Sequence, residues 1–161
     1  QSGLRFNLAG VTQSVSNQVA TIGQDGEQNI ANLSQANVNN TANVTQSGFS
    51  NHATMLQQGD NSTIKVSQIN TSTNRAPITT AKFGTDSYTI SNSAVFVKQT
   101  SSYEDAIISQ DGLNNIALVS QSGVGTAAAH NSVTINQVGT GNTSTVTQAG
   151  GAGNVVSIAQ N

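Results

Sequence analysis

The sequence predicts an all-β protein, a two-sheet parallel β-solenoid of about six 22-residue rungs, and three observations predict it. A seven-residue phrase returns about every eleven residues, its side chains alternate with a period of two, and a Gly often stands two places after its last residue. A fixed period with fixed punctuation is the signature of a repeat architecture.

The phrase is clearest at Asn29-Ile30-Ala31-Asn32-Leu33-Ser34-Gln35, which reads as Asn, any residue, small or apolar, any residue, aliphatic, any residue, Gln. Its first position is held by Asn7, Gln18, Asn29, Asn40, Asn51, Ser62, Ser93, Glu104, Asn115, Asn131, Asn142 and Asn154. Its seventh is held by Gln13, Gln24, Gln35, Gln46, Gln57, Gln68, Gln99, Gln110, Gln121, Gln137, Gln148 and Gln160. Twelve copies follow, six before an interruption at 69–92 and six after it. The chain therefore divides into a lead at 1–6, three rungs over 7–68, an insertion or irregular stretch at 69–92, and three rungs over 93–161.

Alternation with a period of two places odd and even side chains on opposite faces of a strand, and a helix does not produce it. Position five is rich in β-branched residues such as Val44, Val66, Ile108, Val119 and Ile135, which favour strands. These residues are expected to face inward, with even positions such as Thr41, Asn43 and Thr45 facing water. The glycines at Gly26, Gly48, Gly59, Gly112, Gly123, Gly139 and Gly150 fall where the chain must reverse, and Gly accepts positive φ there. In the turn before Asn40, Asn37 is expected to take over that role. Seven residues of strand and four of arc make half a rung, and strands of successive rungs pair about 4.8 Å apart.

The chain holds 36 Asn plus Gln, with 35% hydrophobic and 4% aromatic residues. Apolar burial is thin for a globular core, so the amides are expected to supplement it. In register, position-one Asn and position-seven Gln stack on their equivalents one rung away, each amide donating and accepting along that line. A buried amide without partners costs about 1–3 kcal/mol, so the repeat locks its own register.

Charged residues make up 7% of the chain and its net charge is −2, which gives no basic patch for nucleic acid. No Cys is present, so disulfides and thiolate metal sites are excluded. No apolar run reaches the roughly 20 residues of a membrane helix, and with no signal peptide at Gln1 the mature form of an exported chain is expected. His52 falls on an outward strand position and His130 in a turn, without a second ligand at metal spacing. Gly150-Gly151-Ala152-Gly153-Asn154 lacks the Asp of calcium-binding β-helix repeats. No Ser, His and Asp constellation and no pair of converging acids is found, so no catalytic residue, cofactor, metal or small-molecule substrate is assigned. Glu104 replaces Asn at position one and is expected at a strand end near solvent, where an ionised group is tolerated. The stretch 69–92 holds the only proline, Pro77, and is expected to be a surface insertion between rungs.

No capping helix precedes Asn7 and the chain ends directly after its last strand. Uncapped rungs would offer unpaired backbone groups and the same ladder residues to another copy, so assembly end to end into a cross-β amyloid fibre is expected. The competing reading is a soluble monomeric solenoid that binds ice or another ligand through outward Thr rows such as Thr143, Thr145 and Thr147. Outward positions such as Leu8, Gly10, Thr12, Ala94, Phe96 and Lys98 do not form the uniform array that reading needs.

The pattern Gln-x-Gly-x-x-Asn-x-Ala-x-x-x-Gln, at Gln24 to Gln35, Gln46 to Gln57 and Gln110 to Gln121, resembles the curlin repeat, and the resemblance covers about three quarters of the chain. It implies an extracellular bacterial functional amyloid, a homopolymer that builds curli fibres of the biofilm matrix and mediates adhesion. It also implies outer-membrane secretion machinery and a nucleator subunit as partners. The Gly-rich leading segment of major curlins has no counterpart in these residues and 69–92 interrupts the repeats, so the resemblance leaves major and nucleating subunit as alternatives.

Overall fold

The protein is described by a computed structural model that covers residues 6–70, 79–83, 86–90 and 93–161. All regular structure among them is β: β1 Leu8–Gln13, β2 Val19–Glu27, β3 Ile30–Gln35, β4 Thr41–Phe49, β5 His52–Gln57, β6 Thr63–Asn70, β7 Thr79–Phe83, β8 Asp86–Ile90, β9 Ala94–Gln99, β10 Glu104–Leu113, β11 Ile116–Gln121, β12 Asn131–Thr140, β13 Thr143–Gln148 and β14 Val155–Gln160.

The chain alternates between two sheets. One orders its strands β1-β3-β5-β9-β11-β13 and the other β2-β4-β6-β10-β12-β14, and every pairing within them is parallel. Two consecutive strands make one rung and six rungs stack, which is the two-sheet solenoid the repeat predicts. The register aligns like with like: Leu33 pairs with Met55, Val44 with Val66, and Gln46 with Gln68. It survives a change of spacing, because β5 pairs with β9 and β6 with β10 across 42 residues, bringing Gln57 beside Gln99 and Gln68 beside Gln110. Half of the expected insertion at 69–92 lies outside the described residues. Its first two residues, Ile69 and Asn70, close β6, and β7 pairs antiparallel with β8.

Between the sheets lie positions three and five, the former often Ala but Ile64, Val95 and Val133 in three copies, the latter larger and aliphatic. Ala31, Ala53, Ala42, Ala106 and Ala117 fill position three, and Leu33, Met55, Val44, Ile108 and Val119 fill position five, all buried. One outward row departs from expectation. Ala94, Phe96 and Leu118, at even positions, are buried as a second cluster with Ile116 packed against them. Alternation identifies the face a side chain shares; it does not tell whether that face meets water.

Most strands begin one residue later than the phrase, whereas β10 and β12 open on position one itself, at Glu104 and Asn131. Ile30, Thr41, His52 and Ile116 open their strands, while the Asn before each belongs to the arc. In the second sheet β2, β4, β10 and β12 also run past the Gln, so that Gly26 pairs with Gly48 and Gly112 with Gly139. The glycines divide into two kinds. Gly48 has φ +101 and a Cβ built on it would lie 1.6 Å from the Asn70 carbonyl oxygen. Gly59 and Gly123 have no positive φ, contrary to the turn reading; there a Cβ would meet the backbone of Ser101 and Gly150 at 1.6 and 2.1 Å. What those two positions require is space between stacked backbones.

Candidate functional site

The feature with the most chemistry is the pair of Gln columns along the inner corners of the solenoid. In the first sheet the Nε2 of Gln13 donates to Oε1 of Gln35 (2.7 Å), and the line continues through Gln57, Gln99, Gln121 and Gln148 at 2.7, 3.1, 2.9 and 2.8 Å. In the second sheet it runs through Gln24, Gln46, Gln68, Gln110, Gln137 and Gln160 at 2.8, 2.8, 3.0, 2.7 and 2.9 Å. Every bond points the same way, toward the higher-numbered rung. The amide nitrogen also donates to a carbonyl of the facing sheet, as from Gln46 to Ile30 (2.9 Å) and from Gln110 to Ala94 (3.2 Å). From Gln24 on, each Gln of the two columns joins rung to rung and sheet to sheet, which satisfies the donors that burial would otherwise penalise.

The Asn columns work differently from the expected side-chain stack. Asn40 Nδ2 donates to the carbonyls of Ala36 (2.6 Å) and Gly59 (2.8 Å), while its Oδ1 accepts the Ser62 backbone N–H (3.0 Å). Asn29 does the same with Asp25 and Gly48, and its Oδ1 accepts the Asn51 N–H. Asn115, Asn131, Asn142 and Asn154 likewise donate to carbonyls of their arcs, Asn7 bonds Gly26, and Gln18 bonds Ser14 and Asn37. The shorter Asn side chain mostly clasps its arc, and at Asn51 it holds the Ser47 carbonyl of its arc (3.0 Å) and reaches its equivalent as well. A side-chain bond between neighbours occurs at Asn51 and Asn29 (3.1 Å).

One position-one residue contradicts the sequence reading. Glu104, expected near solvent, is fully buried. Its Oε2 accepts the Ser101 backbone N–H (3.0 Å). Its Oε1 has no hydrogen-bond partner. Burial pushes its carboxyl up from 4.5 to about 7, against the opposing pull of the Ser101 and Thr100 backbone.

The residue before position one carries a role that the sequence reading passed over. Asn17, Gln28, Asn39, Ser50, Asn61, Tyr103 and Asn114 have φ between 54° and 59°, and Gly141 and Gly153 have 78°. These residues tip the chain into most of the new strands, though His130, before β12, has no positive φ. The signal was present as recurring Asn and Gly at that place, the residues most at ease in the left-handed region. Asn37, with φ 69, takes the same conformation as expected.

At the ends of the stack the ladder residues come to the surface. Gln13, Leu8, Val11 and Val19 are exposed at one end, and Val155 at the other, where Gln160 is half-buried. Among the described residues no group of three or more His, Asp or Glu is placed to hold a metal ion.

Stacked, in-register rungs with continuous internal amide ladders define a parallel β-solenoid of the cross-β type. Residues 39–69 match the family model of the curlin associated repeat. The match spans β4, β5 and β6 and contains one of the three quoted motifs, Gln46 to Gln57. No curated protein and no solved structure matches the chain.

Proposed function

We propose that this chain is a structural, non-catalytic subunit of a curli-type extracellular amyloid fibre, whose copies stack end to end and support adhesion within a biofilm matrix. The observation that carries the reading is the pair of one-way Gln ladders. Each ends at one terminal rung on a Gln carbonyl, Gln13 or Gln24, and at the other on a Gln amide, Gln148 or Gln160. A second copy placed on the axis meets an acceptor with a donor, in the same register that every internal rung uses. Such an interface is heterologous, and its repetition gives a filament rather than a closed ring. The outer strands β1, β2, β13 and β14 bring backbone groups to the same contact.

The curlin likeness supports the rest of the proposal: export through outer-membrane secretion machinery, a nucleator subunit as partner, and a cell-surface location. No nucleic acid or small-molecule substrate has a place in it.

Sedimentation and thioflavin fluorescence of the purified chain over a day test this function. Pelletable, thioflavin-positive fibres with strands perpendicular to their axis are expected. A clear monomer that persists at micromolar concentration contradicts the fibre and favours a surface-binding solenoid.

A further inference from the structure

The charge of this chain is concentrated. Of its seven acidic residues and two histidines, Glu104, Asp105 and His130 lie along one edge of the fourth and fifth rungs, and the Asp60 backbone borders that edge from the third. The Tyr103 N–H donates to the Asp60 carbonyl (2.9 Å) and the Asn131 N–H to the Tyr103 carbonyl (3.1 Å). His130 Nδ1 lies 2.8 Å from Asp105 Oδ2, and the Tyr103 and His130 rings are 5.4 Å apart.

At the centre of this edge Glu104 takes the place that Asn40 holds two rungs before and Asn131 one rung after. An Asn there accepts through its oxygen and donates through its nitrogen to backbone carbonyls, as Asn40 does to Ala36 and Gly59 and Asn131 to Gly123 (2.7 Å). An ionised carboxylate only accepts, whereas a carboxylic acid has one proton to give. Glu104 already uses Oε2 as an acceptor, leaving Oε1 buried and without a partner among the described residues. Its own N–H reaches Ser62 Oγ of the preceding rung (3.2 Å), and its backbone pairs with Asn131 of the following one.

We propose that Glu104 is a proton-operated latch in the middle of the solenoid. As a neutral acid it fits the column that a carboxamide fills elsewhere; ionised, it loosens the fourth rung against the third and fifth.

The titratable groups around it are Asp60 on the arc before β6, Tyr103 and Asp105 beside it in sequence, and His130 on the arc before β12. Lys65 and Lys98 occupy exposed outward positions, and no Lys or Arg forms an ion pair with Glu104 among the described residues. His130 bonds Asp105 beside Glu104, so the test includes a variant at His130.

The folded chain holds the Glu104 proton up to about pH 7, against 4.5 for the ordinary group. The folded state therefore binds more protons than the unfolded state between those values. Stability is full below the ordinary value, falls as pH rises toward 7, and levels off above it. The span sets a ceiling of about 300-fold on the change in the folding constant. Because the latch concerns the fold of one solenoid, it stands or falls separately from the fibre proposal.

Guanidinium titrations of the full chain, followed by the strand signal in circular dichroism from about pH 4.5 to 8, read the effect. The wild type is expected to lose at least tenfold in its folding constant across that range. Glu104→Gln and Glu104→Asn should hold theirs nearly constant, and His130→Asn should keep the wild-type slope. A slope that persists in both neutral variants overturns the latch, as does one abolished by His130→Asn. Failure of both neutral variants to fold at pH 8, where the wild type folds, overturns it too, since the column must then require the charge.

Discussion

At the scale of the residue, stacking turns small differences into large ones, because each side chain meets its equivalent one rung away. Gly48 is the sharpest case: φ +101 and a carbonyl oxygen 1.6 Å from any added Cβ leave neither conformation nor room for a side chain. Gly151 has nothing within 4 Å and no positive φ. Gly48→Ala is therefore expected to cost more than about 3 kcal/mol, combining left-handed strain with displaced backbone, while Gly151→Ala stays within about 0.5 kcal/mol. Guanidinium midpoints of the two variants check this. The amide ladder makes a second residue-scale prediction. Gln57 donates to Gln99, Thr41 and Ser62 and accepts from Gln35. Gln57→Leu keeps the bulk but strands those partners in a dry interior, and is expected to cost about 2–4 kcal/mol. A midpoint unchanged from wild type would show that the ladder contributes nothing to the fold.

At the scale of the element, neighbours on one strand have opposite fates. In β10, Ile108 is 1% exposed and packs between the sheets, while Ile107 points outward at 42%. Ile108→Ala is expected to lose about 2–4 kcal/mol and Ile107→Ala less than about 1 kcal/mol. Equal losses in denaturant titrations would place the core elsewhere. This much was legible in the sequence, since a period of two fixes the face and an eleven-residue frame fixes the partner. The Gln columns were legible for the same reason: a side chain repeated at one phase must meet itself when rungs stack. Other features were hidden because they depend on reach and cover. Asn is one methylene shorter than Gln and mainly clasps its arc, with a bond to its equivalent at Asn51 and Asn29, and spacing alone does not reveal that. Phe96 and Leu118 sit at outward phases yet are buried, since periodicity is blind to what lies over a face. Glu104 read as a tolerable terminal charge because its position in the phrase resembles a strand end; in the stack that position is enclosed from both sides.

At the scale of the whole molecule, the equivalence of rungs makes the subunit length adjustable. Residues 142–161 hold β13 and β14, the whole of the sixth rung. Their removal leaves β11 and β12 as the outer strands, and frees at the new end the Nε2 donors of Gln121 and Gln137 that bond Gln148 and Gln160 in the full chain. The new end then offers the same donors in the same register, and Val119 and Ile135 replace Val146 and Ile158 in the aliphatic column. On the fibre proposal, the shortened chain should still polymerise. Rungs stack about 4.8 Å apart, so the subunit repeat along the axis should shorten from about 29 Å to about 24 Å while the strand spacing stays fixed. Layer lines in electron micrographs of the two fibres measure both quantities. A shortened chain that never assembles would mean that the sixth rung carries a contact of its own. An unchanged subunit repeat would mean that the filament axis does not run along the amide ladders.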